Sequence, residues 1–289
     1  MSLGLLQNDL TQFAPDHRAL AANAAEGGTL CTVIAIHGSY SRRVGAQLAI
    51  LPDGTFVGDL ADQCLDAELE QQAARLPKPA IIRLGGGVAP FDFRLPCGST
   101  LDILIDPSPD PAMSRSVLDR LAQRRVAALP LPAIAPDGTR AYIPAARIVL
   151  VGDNPECDAL ALLCAPYGAQ VVHLRPRGLS MELPSDMLDA YTAVLCLSHE
   201  HEWERRVLPW ALRSPSFLIG AIGGARARKA RQTMLAQEGF GKADIVRVEG
   251  PIGVNAGARN PQALSFSVMA QIVERYEALL EPFDQVPSA

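Results

Sequence analysis

Two rhythms of apolar and polar positions divide the chain near residue 145. In the first part, short apolar runs are broken by polar turns. An apolar spacing through Leu10, Phe13 and Leu20 predicts a helix over 7–25, closed by Gly27 and Gly28. Residues 31–36 and 47–51 read as strands, and Pro52-Asp53-Gly54 reads as the turn into a third short run at Phe56 and Val57. Apolar or small side chains at 60, 64, 65, 69 and 73, with acids opposite, predict a helix over 59–75. Strand character returns at 80–84 and 100–105. The prolines at 107, 109 and 111 remove backbone donors and predict an extended linker, followed by a short helix and the Pro-rich stretch LPLPAIAPDGTRAYIP.

Beyond it, continuous apolar runs alternate with amphipathic segments. RIVLVG, AQVVHL, TAVLCL and SFLIGAIG predict strands, with helices running to Tyr167, Leu212 and Gly239 between them. Uninterrupted apolar strands are expected where helices cover both faces of a parallel sheet. The predicted fold class is α/β: an N-terminal α+β domain over 1–145, then a doubly wound, Rossmann-like parallel-sheet domain over 146–289.

Composition narrows the function classes. At 289 residues the chain suits two domains. A net charge of -5 argues against general nucleic-acid binding, which needs a dense cationic face. No run approaches the roughly 18 apolar residues of a membrane span, and MSLGLLQNDLTQF lacks the features of a signal peptide, so a cytoplasmic protein is expected. The six cysteines, at 31, 64, 97, 157, 164 and 196, include no C-x-x-C and predict free thiols rather than a zinc ribbon or disulfide framework.

Several segments carry candidate chemistry. GSYSRRVGA, with Ser39 and Arg42 between Gly38 and Gly45, is laid out as a loop that could hold an anion; a plain basic turn is the alternative. The turn after RIVLVG reads Gly152-Asp153-Asn154-Pro155-Glu156-Cys157, so two of the three dinucleotide-fingerprint glycines are missing. Arg175 stands where a ribose-binding carboxylate is expected, favouring a phosphate or an altered ligand over ordinary NAD-dependent hydride transfer. In SHEHEWE, His199 and His201 end the third strand of this half, as a metal pair or as a capping or ligand-contacting histidine. Gly220, Gly223 and Gly224 lead into a helix bearing Arg226, Arg228, Lys229 and Arg231, which reads equally as an anion site or a solvated basic face. Cys97 sits beside Gly98, and Cys64 in the helical segment after the GSYSRR loop. Near Arg42 and a helix start, such a thiol would ionise more readily and serve as a soft ligand or sulfur acceptor.

These segments together resemble the XdhC/CoxI family, accessory proteins that handle molybdenum cofactor for xanthine dehydrogenase and related molybdenum hydroxylases. GSYSRRVGA is similar to the family's G-S-x-P-R-x-x-G-A at Gly38, Ser39, Arg42, Gly45 and Ala46, with Ser41 in place of proline. DQCLDAELEQQA resembles G-G-C-x-E at Cys64, with Asp62 and Gln63 replacing the glycines and Asp66 the acid, and LPCGSTLDILIDP resembles a further family segment at Cys97 and Gly98. SHEHEWE, FLIGAIGGARARKARQTML and GPIGVNAGARNPQALSFSVMAQIV resemble three segments of its second half.

The resemblance implies a chaperone that binds molybdenum cofactor, protects it during sulfuration and inserts it into an apo-hydroxylase. No turnover of its own is expected. Partners would be the molybdenum hydroxylase apo-enzyme, a cysteine desulfurase and a second copy of the chain. Ser39, Arg42, Gly45, Cys64, Cys97, Gly98, Gly152, Arg175, His199, Gly223 and Arg226 are the implied cofactor contacts, with Cys64 as a molybdenum ligand. Molybdopterin and its cytosine dinucleotide form are both open as cargo. The alternatives are a nucleotide-dependent oxidoreductase or transferase, and a relative that binds only protein.

Overall fold

The computed structural model describes residues 10, 12–60, 63–86, 95, 98–175, 183–184, 186–198, 201–255 and 257–281, without the side chains of Gln63, Cys64 and His201. They fall into two compact units. One runs to Pro144 and includes Leu280 and Glu281; the other runs from Ala145 to Leu279.

The first unit has a 3-10 turn, Pro15–His17, then helix α1, Arg18–Glu26. The chain is not helical at 12–14, so the helix expected over 7–25 is interrupted there. Pro15 explains the late start, since proline lacks an N–H and suits only a first turn. Strands β1 (Thr29–His37), β2 (Gln47–Ile50), β3 (Phe56–Gly58), β4 (Ala80–Gly85) and β5 (Thr100–Asp106) form an antiparallel sheet in the order β3-β2-β1-β5-β4. Helix α2, Gln63–Ala73, covers one face: Leu65 and Leu69, with Leu60 just before them, are buried against Cys31, Val33, Leu48, Leu101, Ile103 and Ile105. On the other face Leu30 and Ala49 meet α1 and helix α3, Pro111–Ala122.

Two expectations for the Pro-rich region are corrected. Pro111 opens α3 instead of extending a linker: Asp110 caps the helix by accepting a hydrogen bond from the Ala112 N–H at 2.8 Å, and proline at the first helical position gives up an N–H that would have no partner in the helix. LPLPAIAPDGTRAYIP contributes to a second small sheet, the antiparallel pair β6 (Ala127–Pro130) and β7 (Thr139–Tyr142). Proline is tolerated here because this ribbon has two edges and no central strand.

A register shift between Val33 and Ala35 sets the parity of the end of β1. Val33 pairs with Ile103 on the α2 face. Beyond the bulge, Ala35 pairs with Asp102, Ile36 with Leu101 and His37 with Thr100. The extra residue turns His37 to the face away from α2, where unbroken alternation would aim it at the core.

The second unit is Rossmann-like. Strands β8 (Arg147–Val151), β9 (Gln170–Leu174), β10 (Thr192–Cys196), β11 (Leu218–Ala221) and β12 (Val248–Glu249) form a parallel sheet ordered β12-β11-β10-β8-β9. Helices α4 (Pro155–Cys164) and α8 (Pro261–Glu277) line one core, and α5 (His201–Leu212) and α6 (Ala225–Gln237) the other; a short α7 (Lys242–Ile245) precedes β12. Strand order reverses between β8 and β10, the place where open α/β sheets form a ligand crevice. Among the described residues, no helix is long and apolar enough to cross a membrane.

Candidate functional site

Three segments singled out in the sequence leave the same end of the antiparallel sheet. The Gly38–Gly45 loop joins β1 to β2, Leu60 leads into α2, and Gly98-Ser99 leads into β5. Ser99 Oγ donates to Ser39 O at 2.5 Å, and a Cβ on Gly38 would lie 3.2 Å from Ser99 Oγ. Gly85, at φ +98°, brings the end of β4 against the same residue: a Cβ there would sit 2.2 Å from Ser99 O. Tyr40 donates its hydroxyl to Leu60 O, tying the loop to the approach to α2, whose first turn carries Cys64. Gly98 is exposed at φ +73°, its N–H on Leu95 O at 2.9 Å. Cys97 and the Cys64 side chain lie outside the described residues.

Arg42, the loop's expected anion contact, donates to Asp59 Oδ2 at 2.5 Å in an exposed ion pair. Such pairs contribute little, so Arg42→Ala is expected to change the unfolding free energy by no more than about 1 kcal/mol, measured by denaturant titration.

Gly45 sits at φ +86° and donates its N–H to Val33 O at 2.7 Å, drawing the returning strand close. Its carbonyl accepts from Arg140 Nε at 3.0 Å. Arg140 Nη2 bonds Asp16 Oδ1 at 2.5 Å, and Arg43 Nη2 reaches the same oxygen at 2.8 Å. Burial alone would raise the Asp16 pKa, but the two guanidinium groups hold it well below the carboxylate range.

One cluster at this sheet end escaped the sequence reading. On the face away from α2, His37 Nε2 lies 3.1 Å from Asp102 Oδ2, and Arg83 donates through Nε and Nη2 to the two Asp102 oxygens at 2.6 and 2.7 Å. The Arg83 hydrogen bonds hold the Asp102 pKa down against its partial burial, with help from His37. The alternation in TLDILID is the available signal, since it puts Asp102 on a central strand on the face opposite Leu101, Ile103 and Ile105.

In the Rossmann-like unit the fingerprint turn is closed by its own side chains. Asn154 caps α4 by accepting from the Cys157 N–H at 3.0 Å and donates through Nδ2 to Leu197 O at 2.6 Å, bridging the turns after β8 and β10. Cys157, at the third glycine position, is buried; a Cβ on Gly152 would meet its Sγ at 3.0 Å. Arg175 at the end of β9 is engaged by Asp153 at 3.2 Å and Asp158 at 2.7 Å. After β11, Gly223 adopts φ +108°, Gly224 starts α6 with no side-chain cap, and Arg226 is exposed. His199 and the His201 side chain are outside the described residues; the His201 backbone opens α5.

Cys31, Cys157, Cys164 and Cys196 are buried free thiols, and burial pushes each up to about 12, so they stay protonated at neutral pH. Among the described residues, no group of three or more His, Cys, Asp or Glu side chains could hold a metal ion.

A unit with converging loops at one end of an antiparallel sheet, followed by a Rossmann-like unit whose turn after β8 is capped from within, defines a class of two-unit α/β protein. Residues 148–272 match the model of the XdhC Rossmann domain and residues 21–83 that of the XdhC and CoxI family. Both parts of the chain thus match models of the XdhC and CoxI family. It is 28% identical over 284 residues to the molybdenum cofactor insertion chaperone PaoD of Escherichia coli (strain K12), a match covering 89% of this chain and 88% of that protein. A crystal structure described as a xanthine dehydrogenase from Bacillus halodurans shares the fold with a TM-score of 0.72 at 19% identity, covering 91% of this chain and 96% of that one.

Proposed function

We propose that the chain is a cytoplasmic molybdenum cofactor chaperone that shields its cargo, supports its sulfuration and inserts it into a xanthine dehydrogenase-type hydroxylase. The observation that carries this reading is the likeness, along most of both chains, to an insertion chaperone. The convergence of the Gly38–Gly45 loop, the Gly98-Ser99 turn and the start of α2 supports it, because these are the segments on which the family resemblance of the N-terminal half rests.

The cargo is a phosphorylated pterin with a dithiolene-bound metal. It needs cations or N–H groups at its phosphate and a soft ligand near the metal. Ser39, Arg42, Gly45 and Gly98 supply the polar loop surface, and Cys64 and Cys97 are the thiols assigned to the metal end. In the Rossmann-like unit, Arg175 is assigned to the nucleotide of the cytosine dinucleotide form and the Gly223 loop with Arg226 to phosphate, with Gly152 and His199 as further cofactor contacts. Transfer needs the apo-hydroxylase, sulfuration needs a cysteine desulfurase, and the working form is a homodimer.

The test is purification from cells with and without molybdenum-cofactor synthesis, followed by metal analysis and fluorescence of the oxidised pterin. Bound pterin is expected only from the cofactor-producing cells. Cys64→Ala and Cys97→Ala are expected to lose most of it while keeping the wild-type unfolding midpoint. Normal pterin content in both variants would remove the thiols from the function, and NAD(P) retention without pterin would favour an oxidoreductase.

A further inference from the structure

We propose that Arg83 and His37, aligned by Asp102 on the outer face of the antiparallel sheet, form a binding site for a phosphate monoester.

Three features of the sheet build this site. The bulge at Ile34-Ala35 turns His37 onto the face that carries Asp102 and Arg83. Asp102 is the direct cross-strand partner of both Ala35 and Arg83, so β1, β5 and β4 each add one residue to a row across the sheet. The Asp102 side chain is only 14% exposed, whereas those of Arg83 and His37 are about half exposed, at 54% and 53%. The carboxylate is therefore the floor of the cluster, and the two nitrogen-bearing groups are its open surface.

The hydrogen bonds leave the outward donors available. Asp102 takes up Arg83 Nε and one Nη2 hydrogen, and it lies against His37 Nε2. Arg83 Nη2 and His37 Nε2 stand 3.5 Å apart. That leaves Nη1 and His37 Nδ1 as the groups that a ligand can meet. A guanidinium fixed by a carboxylate loses little freedom on binding and presents its remaining fork to an oxoanion. The Arg83 charge is matched by Asp102, so recognition of the phosphate rests on the N–H donors that face outward. Ala35 is small, and Ile81 on β4, two residues from Arg83, exposes part of an apolar side chain on the same face. They make a shelf for the body of an ester whose phosphate sits on the outward donors.

A cross-strand ion pair placed only for sheet stability would need no third, half-exposed imidazole brought round by a bulge. The site also lies at the sheet end from which the Gly38–Gly45 loop departs, His37 being the residue before Gly38. Resting on the function proposed above, the phosphate it takes is the terminal phosphate of the pterin cargo; free phosphorylated metabolites carry the same group.

The experiment titrates the full, cofactor-free chain with phenyl phosphate and with inorganic phosphate, at ionic strength held constant with chloride. Imidazole resonances are followed by NMR, and the His37 signal is assigned among the five histidines by its loss in His37→Gln. Saturable movement of that signal with both phosphates, tighter for the phenyl ester, is expected, with binding weakened about tenfold or more in Arg83→Gln by loss of charge-assisted hydrogen bonds. A His37 signal that ignores phosphate, or that moves equally with chloride, overturns the site. So does undiminished affinity in Arg83→Gln with its fold intact by circular dichroism. Cargo binding is read separately from pterin content: saturable phosphate binding in a chain that never carries pterin keeps this site and rejects the chaperone reading, whereas pterin in a chain blind to phosphate does the reverse.

Discussion

Arg231→Met is expected to lower the unfolding free energy by about 3–5 kcal/mol, because it takes the guanidinium away from a buried carboxylate inside the Rossmann-like unit. Arg231 Nε and Nη2 meet the two Glu204 oxygens at 3.2 and 2.7 Å, with side-chain exposures of only 2% and 6%. A second bond from Nη2 to Ile222 O, at 2.8 Å, ties α6 to the turn after β11. The pair itself is weak evidence of net stability, since desolvating two ions offsets most of their attraction. Removing one partner is different, as the other then stays buried without its counter-ion. Urea unfolding measures the effect, and the double variant Glu204→Leu/Arg231→Met is expected to recover much of the loss. A single variant within about 1 kcal/mol of wild type would mean that Glu204 reaches water once its partner is gone.

Both residues sit in segments that read as ordinary polar helix. Arg231 belongs to ARARKARQ, where the spacing reveals a cationic helix but not that one of its arginines turns inward. Burial of a charge depends on a partner 27 positions away, and local periodicity carries no such information. The parallel strands were legible for the opposite reason: after their polar first residues, RIVLVG, TAVLCL and SFLIGAIG run without a polar side chain because the sheet is covered on both faces, so identity along the run announces the environment. The hairpin β6–β7 was hidden by its prolines, which speak for extended chain and not for what that chain pairs with.

The candidate site divides similarly. Glycines at 38, 45 and 98 marked where the backbone turns, and each adopts positive φ. The side chain at the end of β1 was not readable, because one inserted residue in a strand reverses the face of everything after it and leaves no compositional trace. The failed fingerprint at Gly152 was visible as missing glycines. That Asn154 fills the space by capping α4 and bridging to Leu197 needed coordinates.

Arg140→Met is expected to cost about 3–5 kcal/mol and to change how the N-terminal unit responds to acid. In the wild type, Arg140 lies 3.9 Å above the Tyr142 ring, donates to Gly45 O and pairs with Asp16, so one buried guanidinium joins the loop after β1, the start of the helical layer and β7. Asp16 has a depressed folded-state pKa, and its ionisation therefore contributes stability that is present above the unfolded value near 3.8 and is lost as pH falls from there toward the lower folded value. Without Arg140, only Arg43 and the weaker influence of His17 oppose burial, so the folded-state pKa of Asp16 rises. If it passes the unfolded value, the sign reverses: the buried carboxylate then opposes folding above its unfolded pKa, and protonation relieves the strain as pH falls. The measurement is urea unfolding at a series of pH values from neutral to the carboxylate range. The wild type should lose the Asp16 contribution only in the acid part of that range, and the variant, already less stable at neutrality, should show a smaller further decline. Equal slopes in the two proteins would show that Asp16 keeps its low pKa without Arg140, through Arg43 and His17.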